Sequence, residues 1–332
     1  MITNWVHDMV ICRLRDCHFR VMANRRREPW PRNRWLHNLS AADAVIAFMP
    51  DHIDDEVLRH CKQLKIIAGA LKGYDNIDVE ACARRGIMVT HSQRSLTAAV
   101  AELTVGLLIG ISRNLLIGDR LVRAKRFHGW RPQLYGVGLA GSTVGFIGMG
   151  EIGQATVARL RAFDCRFVYF DVQRLPEPAE RELRVKYLPL RELAAVCDFV
   201  ILAIPLMPDT LHLVNSEFLA LMKPSAYLIN PARGSLVDEA AVARAIRDGK
   251  LGGYAADVFE FEDLARRDRP AGVVPALLKT ERAILSPHLG SAIDSVRCAV
   301  AMDAADNIVH FFTGGTLSGV VTPATRKEAA PC

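Results

Sequence analysis

Residues 143–171, TVGFIGMGEIGQATVARLRAFDCRFVYFD, constrain the fold more than any other stretch. The apolar run Thr143 to Ile147 suits a strand buried on both faces. Gly148, Gly150 and Gly153 follow in G-x-G-x-x-G spacing. A helical stretch runs from Gln154 to Phe163, and a second apolar strand, Phe167 to Phe170, ends at Asp171. In such a unit the first glycine permits a tight turn. The second lets a pyrophosphate approach the backbone, and the third lets helix and strand pack closely. The phosphates then sit at the positive end of the helix. Asp171 stands near the spacing at which an acid bonds a ribose 2′-hydroxyl. A carboxylate there repels a 2′-phosphate, so the stretch reads as an NAD site, although Arg174 just beyond it softens that repulsion. A plain glycine-rich turn is the blander reading, and it leaves the terminal acid unexplained.

The rest of the chain alternates in the same way. Strands are expected at 44–48, 65–70 and 87–89, with a helix at 54–61, as a small α/β unit ending near residue 95. Further strands are expected at 198–204, 226–230, 253–258 and 283–285, with a helix at 239–248. This alternation argues a parallel, doubly wound sheet. Ligands bind such sheets at the carboxyl ends of the strands. Pro205, Arg233, Asp257, Glu262 and His288 all lie at or just past such ends, and that convergence marks a candidate catalytic site.

Length and charge set the outer bounds. The 332 residues suffice for two domains with cores of their own. A net charge of +6, from 42 basic and 36 acidic residues, is too mild to imply nucleic acid. The eight cysteines form no C-x-x-C and no Cys/His cluster at zinc spacing, so no metal is expected. Scattered cysteines without a leader read as reduced thiols in the cytoplasm. Glu102, Arg113 and two glycines interrupt the apolar stretch Ala98 to Leu116, which reads as a buried helix and not a membrane span. Ser95 to Ala124 reads as one long helix, with Gly106 and Gly110 suited to close packing across a homodimer. Residues 1–34 are the least regular. Eight arginines between Arg13 and Arg34 read as a solvated face, with a polyanion patch as the sharper alternative. The loop from Phe127 to Gly136 is rich in aromatics, and the tail from Pro323, PATRKEAAPC, reads as disordered.

These motifs resemble one family, the D-isomer-specific 2-hydroxyacid dehydrogenases, from about Ala44 to Ala304. The segments that carry the likeness are GFIGMGEIG, Asn230-Pro231-Ala232-Arg233-Gly234, Ala256-Asp257-Val258-Phe259-Glu260 and Pro287-His288-Leu289-Gly290-Ser291. Within the family, Met49 in FMPD, Leu71-Lys72-Gly73, GWRPQLYG and FEFEDLARRDRP resemble the branch that oxidises phosphite to phosphate with NAD. The resemblance implies an α/β fold of two doubly wound domains. A Rossmann NAD-binding domain, 96–289, is inserted in a smaller flavodoxin-like substrate domain formed by 1–95 and 290–332. It implies Arg233, Glu262 and His288 as the catalytic set. It places Met49, Leu71, Lys72, Gly73, Arg233 and Ser291 at the substrate, with Trp130 and Tyr135 closing over it. Around the cofactor it places Lys72, Val100, Gly148, Gly150, Glu151, Ile152, Gly153, Asp171, Ala203, Pro205, Pro208, Pro231 and Asp257. It also implies a homodimer built on the helix 95–124, acting on a small anion, with no nucleic-acid or membrane partner. Two departures stand out: a short N-terminus that would clip the first strand, and the arginine-rich stretch where the family has a polar helix.

The chemistry suits these residue types. Phosphite is largely a dianion, and an arginine fork with a lysine supplies fixed positive charge for it. His288 is the natural base toward water, and Glu262 would hold its tautomer. The alternative substrate is a small D-2-hydroxyacid of the glycerate/hydroxypyruvate type, which uses the same three residues. A remoter alternative is the NAD-sensing transcriptional corepressors, built on the same scaffold.

Overall fold

The apolar run Thr143–Ile147 becomes a strand buried at every position. The sheet that contains it is laid out on either side of it. The computed structural model describes residues 1–323, so the tail read as disordered lies outside the described residues except for Pro323. The chain divides into two compact units. One comprises Met1–Leu96, Leu264–Arg267 and, among the described residues, 291–323. The other comprises Thr97–Asp263 and Asp268–Gly290.

In the first unit, β1 (Ala44–Ala47), β2 (Ile66–Gly69) and β3 (Met88–His91) are parallel and lie in chain order. Val320–Val321 adds an antiparallel strand beside β3. Short helices cross between the parallel strands. Asp54 caps Asp55–Arg59 by accepting the Val57 amide, and Asp78 caps Val79–Arg84 by accepting the Ala81 amide. The N-terminus is not clipped away from this sheet. Ile2 is fully buried and bridges in parallel to both Ile46 and Ala23. The arginine-rich stretch is also more regular than its composition suggests. It contains the helix Asp8–Asp16 and the start of the helix Arg32–Ser40. Its arginines find partners on aromatic faces and acids: Arg27 lies over Trp5, Arg34 over Trp30, and Arg13 donates to Asp306 at 2.7 Å.

The second unit holds seven parallel strands: β4 (Thr143–Ile147), β5 (Arg166–Phe170), β6 (Val185–Tyr187), β7 (Phe199–Leu202), β8 (Tyr227–Asn230), β9 (Gly253–Ala256) and β10 (Ala283–Leu285). Their order is β10-β9-β8-β7-β4-β5-β6. The direction of winding reverses between β4 and β7, which opens a crevice at their carboxyl ends. The strand β6 carries no strong apolar run and was not expected. One face of the sheet packs Phe146, Tyr169 and Phe199 against Leu107, Leu108 and Ile111 of the helix Thr97–Ser112. Phe146 is fully buried, which contributes about 2 kcal/mol by area removed from water.

The single helix expected from 95 to 124 is two helices, Thr97–Ser112 and Leu115–Arg123, bent by 65°. Asn114 sits between them in the left-handed region, at φ 54°. Asparagine tolerates that conformation, and its Nδ2 donates to the carbonyls of Leu134 and Tyr135, both at 3.3 Å. Among the described residues no single helix is long and apolar enough to cross a membrane.

Candidate active site

The glycine loop after β4 divides its tasks as the spacing predicts. Gly148 has φ 96°, and a Cβ on it would lie 2.4 Å from the Ala203 carbonyl oxygen. A Cβ on Gly153 would lie 2.6 Å from the Gly148 oxygen, so this glycine lets helix and turn close together. A Cβ on Gly150 would meet nothing within 4 Å, which leaves the space that a pyrophosphate needs. The helix begins at Glu151, three residues before the expected start, and Glu151 and Ile152 form its opening turn. Its amides therefore face the loop. Asp171 follows β5, and its Oδ2 accepts the Met149 amide at 2.7 Å. Arg174 donates twice to Glu180, at 2.9 Å each, which draws its guanidinium toward that acid. The loop, the helix start and Asp171 fit a nicotinamide dinucleotide. Ala203, Pro205 and Pro208 follow β7, and Pro231 is buried after β8. Val100 lies in the helix Thr97–Ser112, against Gly290.

Three loops after β8, β9 and β10 bring the candidate catalytic residues together. Arg233 follows β8, and its Nη1 donates to the Ala232 carbonyl at 2.8 Å. Asn230, fully buried, holds this loop from below. Its Nδ2 donates to the Arg233 carbonyl at 2.8 Å, and its Oδ1 accepts the Ala232 amide at 3.1 Å. Gly234 then touches the backbone after β9 directly. A Cβ there would lie 1.9 Å from the Phe259 carbonyl carbon, so only glycine lets the two loops meet. Ser235 fastens the contact by donating its amide to Asp263 Oδ2 at 2.7 Å.

The turn Glu260–Glu262 carries the acid. Glu262 Oε1 accepts the Phe259 amide at 2.8 Å, and Oε2 lies 2.8 Å from His288 Nδ1. A carboxylate only accepts, so Nδ1 is the protonated nitrogen of this pair. That leaves His288 Nε2 as the nitrogen to exchange a proton with a ligand. His288 adopts φ 55°, a strained conformation for a residue with a Cβ. Asp257 holds it there. This buried carboxylate accepts the Ser286 hydroxyl at 2.5 Å and the amides of Leu289 and Gly290 at 2.8 and 2.7 Å. Asp257, expected at the cofactor, is thus also the fastener of the histidine loop.

The first unit arranges its own candidate residues. The Lys72 amine donates to the Gln93 carbonyl, and the Lys72 carbonyl lies 2.9 Å from His91 Nδ1. The Leu71 side chain is buried, and its carbonyl accepts the Ser92 amide at 2.9 Å. Gly73 follows in the same loop. Met49 lies in a turn that Asn76 Nδ2 pins through the carbonyls of Phe48 and Asp51, at 3.0 and 2.7 Å. Asp51 itself is buried under donors from Thr3, Trp35 and Phe48. Burial still pushes its carboxyl up to about 6. Ser291 is buried as the third segment of this unit begins.

Trp130 and Tyr135 are 84% and 79% exposed. The loop from Phe127 to Tyr135 lies on the surface, tethered where Val137 donates to the Ser112 carbonyl at 2.8 Å. Composition did not point to Glu239 and His212, which hold the acid-bearing turn, or to Glu260 within it. Asp238 and Glu239 read simply as the acidic opening of a helix. Burial pushes the Glu239 carboxyl up to about 7.

The chain resembles known proteins along most of its length. Residues 105–290 match the D-isomer specific 2-hydroxyacid dehydrogenase NAD-binding domain. A glyoxylate reductase of Pyrococcus horikoshii is 39% identical over 86% of this chain and 84% of its own length. The crystal structure of an NADPH-dependent glyoxylate/hydroxypyruvate reductase from Sinorhizobium meliloti, in complex with NADP and malonate, is similar at TM-score 0.82. It is 30% identical and covers 96% of this chain and 95% of that one. That of D-lactate dehydrogenase from Aquifex aeolicus, complexed with NAD and lactic acid, is similar at TM-score 0.75. It is 28% identical and covers 84% and 85% of the two chains.

Proposed function

The chain belongs to the D-isomer specific 2-hydroxyacid dehydrogenase family, and from that premise we propose that it reduces a small 2-oxoacid to its 2-hydroxyacid, with glyoxylate to glycolate as the leading pair. One observation carries the reading. Glu262 holds His288 at 2.8 Å on a turn that Gly234 locks to the Arg233 loop. Arg233 offers a fork to the substrate's carboxylate and oxo group. His288 Nε2 gives a proton to the oxo oxygen while Glu262 steadies the ring. A bound nicotinamide supplies the hydride, so glyoxylate, NADH and a proton become glycolate and NAD. Asp171 beside the loop, with Arg174 drawn toward Glu180, favours NAD over NADP.

Phosphite oxidation becomes the second reading, because the relatives reported above are named for glyoxylate, hydroxypyruvate or lactate chemistry. What favours it is Lys72, whose ammonium is fixed to the Gln93 carbonyl beside the Leu71–Gly73 loop. A second cation suits a dianion better than a carboxylate. In that reaction His288 takes a proton from water as the P–H hydride leaves. The deciding experiment follows NADH absorbance in two directions, with glyoxylate or hydroxypyruvate plus NADH, and with phosphite plus NAD. Turnover of the oxoacids alone supports the first reading. Turnover of phosphite alone overturns it in favour of the second.

The apolar side chains Leu115, Val122, Phe127, Trp130 and Tyr135 are all exposed on one stretch, which favours a homodimer formed there. Light scattering of the purified protein tests this, and a monomer at micromolar concentration would exclude it.

A further inference from the structure

Two side chains with no part in the reaction above tie the acid-bearing turn to the loop after β7. Glu260 is buried, two residues before Glu262. Its Oε2 lies 2.8 Å from Nε2 of His212, which belongs to the segment that follows Pro205 and Pro208. Its Oε1 accepts the Glu239 amide at 3.0 Å, while its own amide donates to Glu239 Oε1 at 2.8 Å. His212 adopts φ 50° and donates its amide to the Ser235 carbonyl at 2.8 Å, next to Arg233 and Gly234. Ser235 in turn holds Asp263 at the far end of the same turn. The loops after β7, β8 and β9 are therefore knit into one frame, with Glu260 as its central acceptor. Buried hydrogen bonds to a carboxylate are strong and costly to break, which suits them to holding a geometry.

We infer that Glu260 and His212 are positioning residues that set the placement of Glu262 against His288. The inference rests on the reading of that pair as catalytic. Glu262 has one oxygen on the Phe259 amide, so any shift of the Phe259–Glu262 turn moves the other oxygen relative to the imidazole. The turn is tied to Glu239, Ser235 and His212, and it shifts more easily when one of these ties gives way. His212 is the one of these three that is partly exposed, so its substitution loosens the frame without opening the core.

The test uses His212→Asn in the full chain. Asparagine keeps the left-handed backbone but is too short to reach Glu260. Three quantities are read: kcat and KM with the active substrate, NADH affinity by fluorescence, and the downfield proton resonance of a histidine Nδ1–H bonded to a carboxylate, assigned by its loss in His288→Asn. The expected result is a fall of about tenfold in kcat, the size of one lost charged hydrogen bond. KM and NADH affinity stay within about twofold, and the resonance broadens or moves. Glu260→Gln gives a similar fall, and the double variant falls no further. Wild-type kcat with an unmoved resonance overturns the inference. So does a loss confined to NADH affinity, or two losses that multiply in the double variant. The resonance is read without substrate, so an error in the substrate assignment leaves this outcome legible.

Discussion

Glu262 and His288 meet at 2.8 Å although they stand on loops that follow different strands, β9 and β10, which are neighbours in the sheet. Sheet register thus brings acid and base together, and two local devices fix the contact. The Phe259 amide holds the second oxygen of Glu262, and Asp257 holds the loop that carries His288. Glu262→Gln should keep the Phe259 bond and present an amide group to Nδ1, so the ring can turn over to the other tautomer. We expect a loss of about 10²–10⁴ in kcat/KM with unchanged NADH affinity. Stopped-flow turnover with a fluorescence titration checks both, and activity within about threefold of wild type would remove Glu262 from its role.

Arg233→Ala should lose roughly 10³-fold in kcat/KM, about 4 kcal/mol of transition-state stabilisation. Lys72→Ala should act mainly through KM, because its ammonium has no place in the proton transfer. Steady-state kinetics on the active substrate separate the two. A kcat effect at Lys72 larger than the one at Arg233 would reverse the assignment.

Gly234→Ala and Gly150→Ala make a matched pair. The first methyl would lie 1.9 Å from the Phe259 carbonyl carbon, and the second would meet nothing within 4 Å. Gly234→Ala should cost about 2 kcal/mol or more in stability and abolish turnover. Gly150→Ala should melt like the wild type but bind NADH weakly, since its methyl takes the room of the pyrophosphate. Thermal melts and NADH titrations of both variants provide the comparison.

The pH dependence of stability has a definite sign at Glu239. Its folded value is raised to about 7 from an ordinary 4.5, chiefly by burial. The folded chain therefore holds a proton that the unfolded chain has released. The stability this group contributes is complete below about pH 4.5 and is lost as the pH rises through about 7. Asp51, raised to about 6, acts in the same direction. Urea unfolding of wild type and Glu239→Gln at pH 5 and pH 8 should show the variant gaining relative stability at the higher pH. A constant difference between the two pH values would contradict this.

Cofactor choice should turn on Asp171. Asp171→Ala removes a carboxylate beside the glycine loop, and NADPH use relative to NADH should rise about 10- to 100-fold, the scale of one like-charge contact. The ratio of the two kcat/KM values measures it. An unchanged ratio would place the discrimination elsewhere.

Much of this was legible from residues alone, for a local reason. The tasks of Gly148, Gly150 and Gly153 depend on a few neighbouring atoms, and strand ends can be read from apolar runs. The break at Asn114 was not legible, because the apolar pattern continues across it and only a backbone angle marks the bend. The frame around Glu260 was hidden for another reason. Glu239, Glu260 and His212 are far apart in sequence, and each resembles an ordinary surface residue until the sheet order brings them together. The role of Trp130 and Tyr135 came from resemblance alone, since aromatic content says nothing about which surface a loop covers.

The three-point grip of Asp257 anchors the His288 loop within one unit. The base is moored to the floor of its own sheet, while Met49 and Lys72 belong to loops of the other unit. On the proposed roles, substitutions in those loops should alter substrate preference and leave the Glu262–His288 contact as it is.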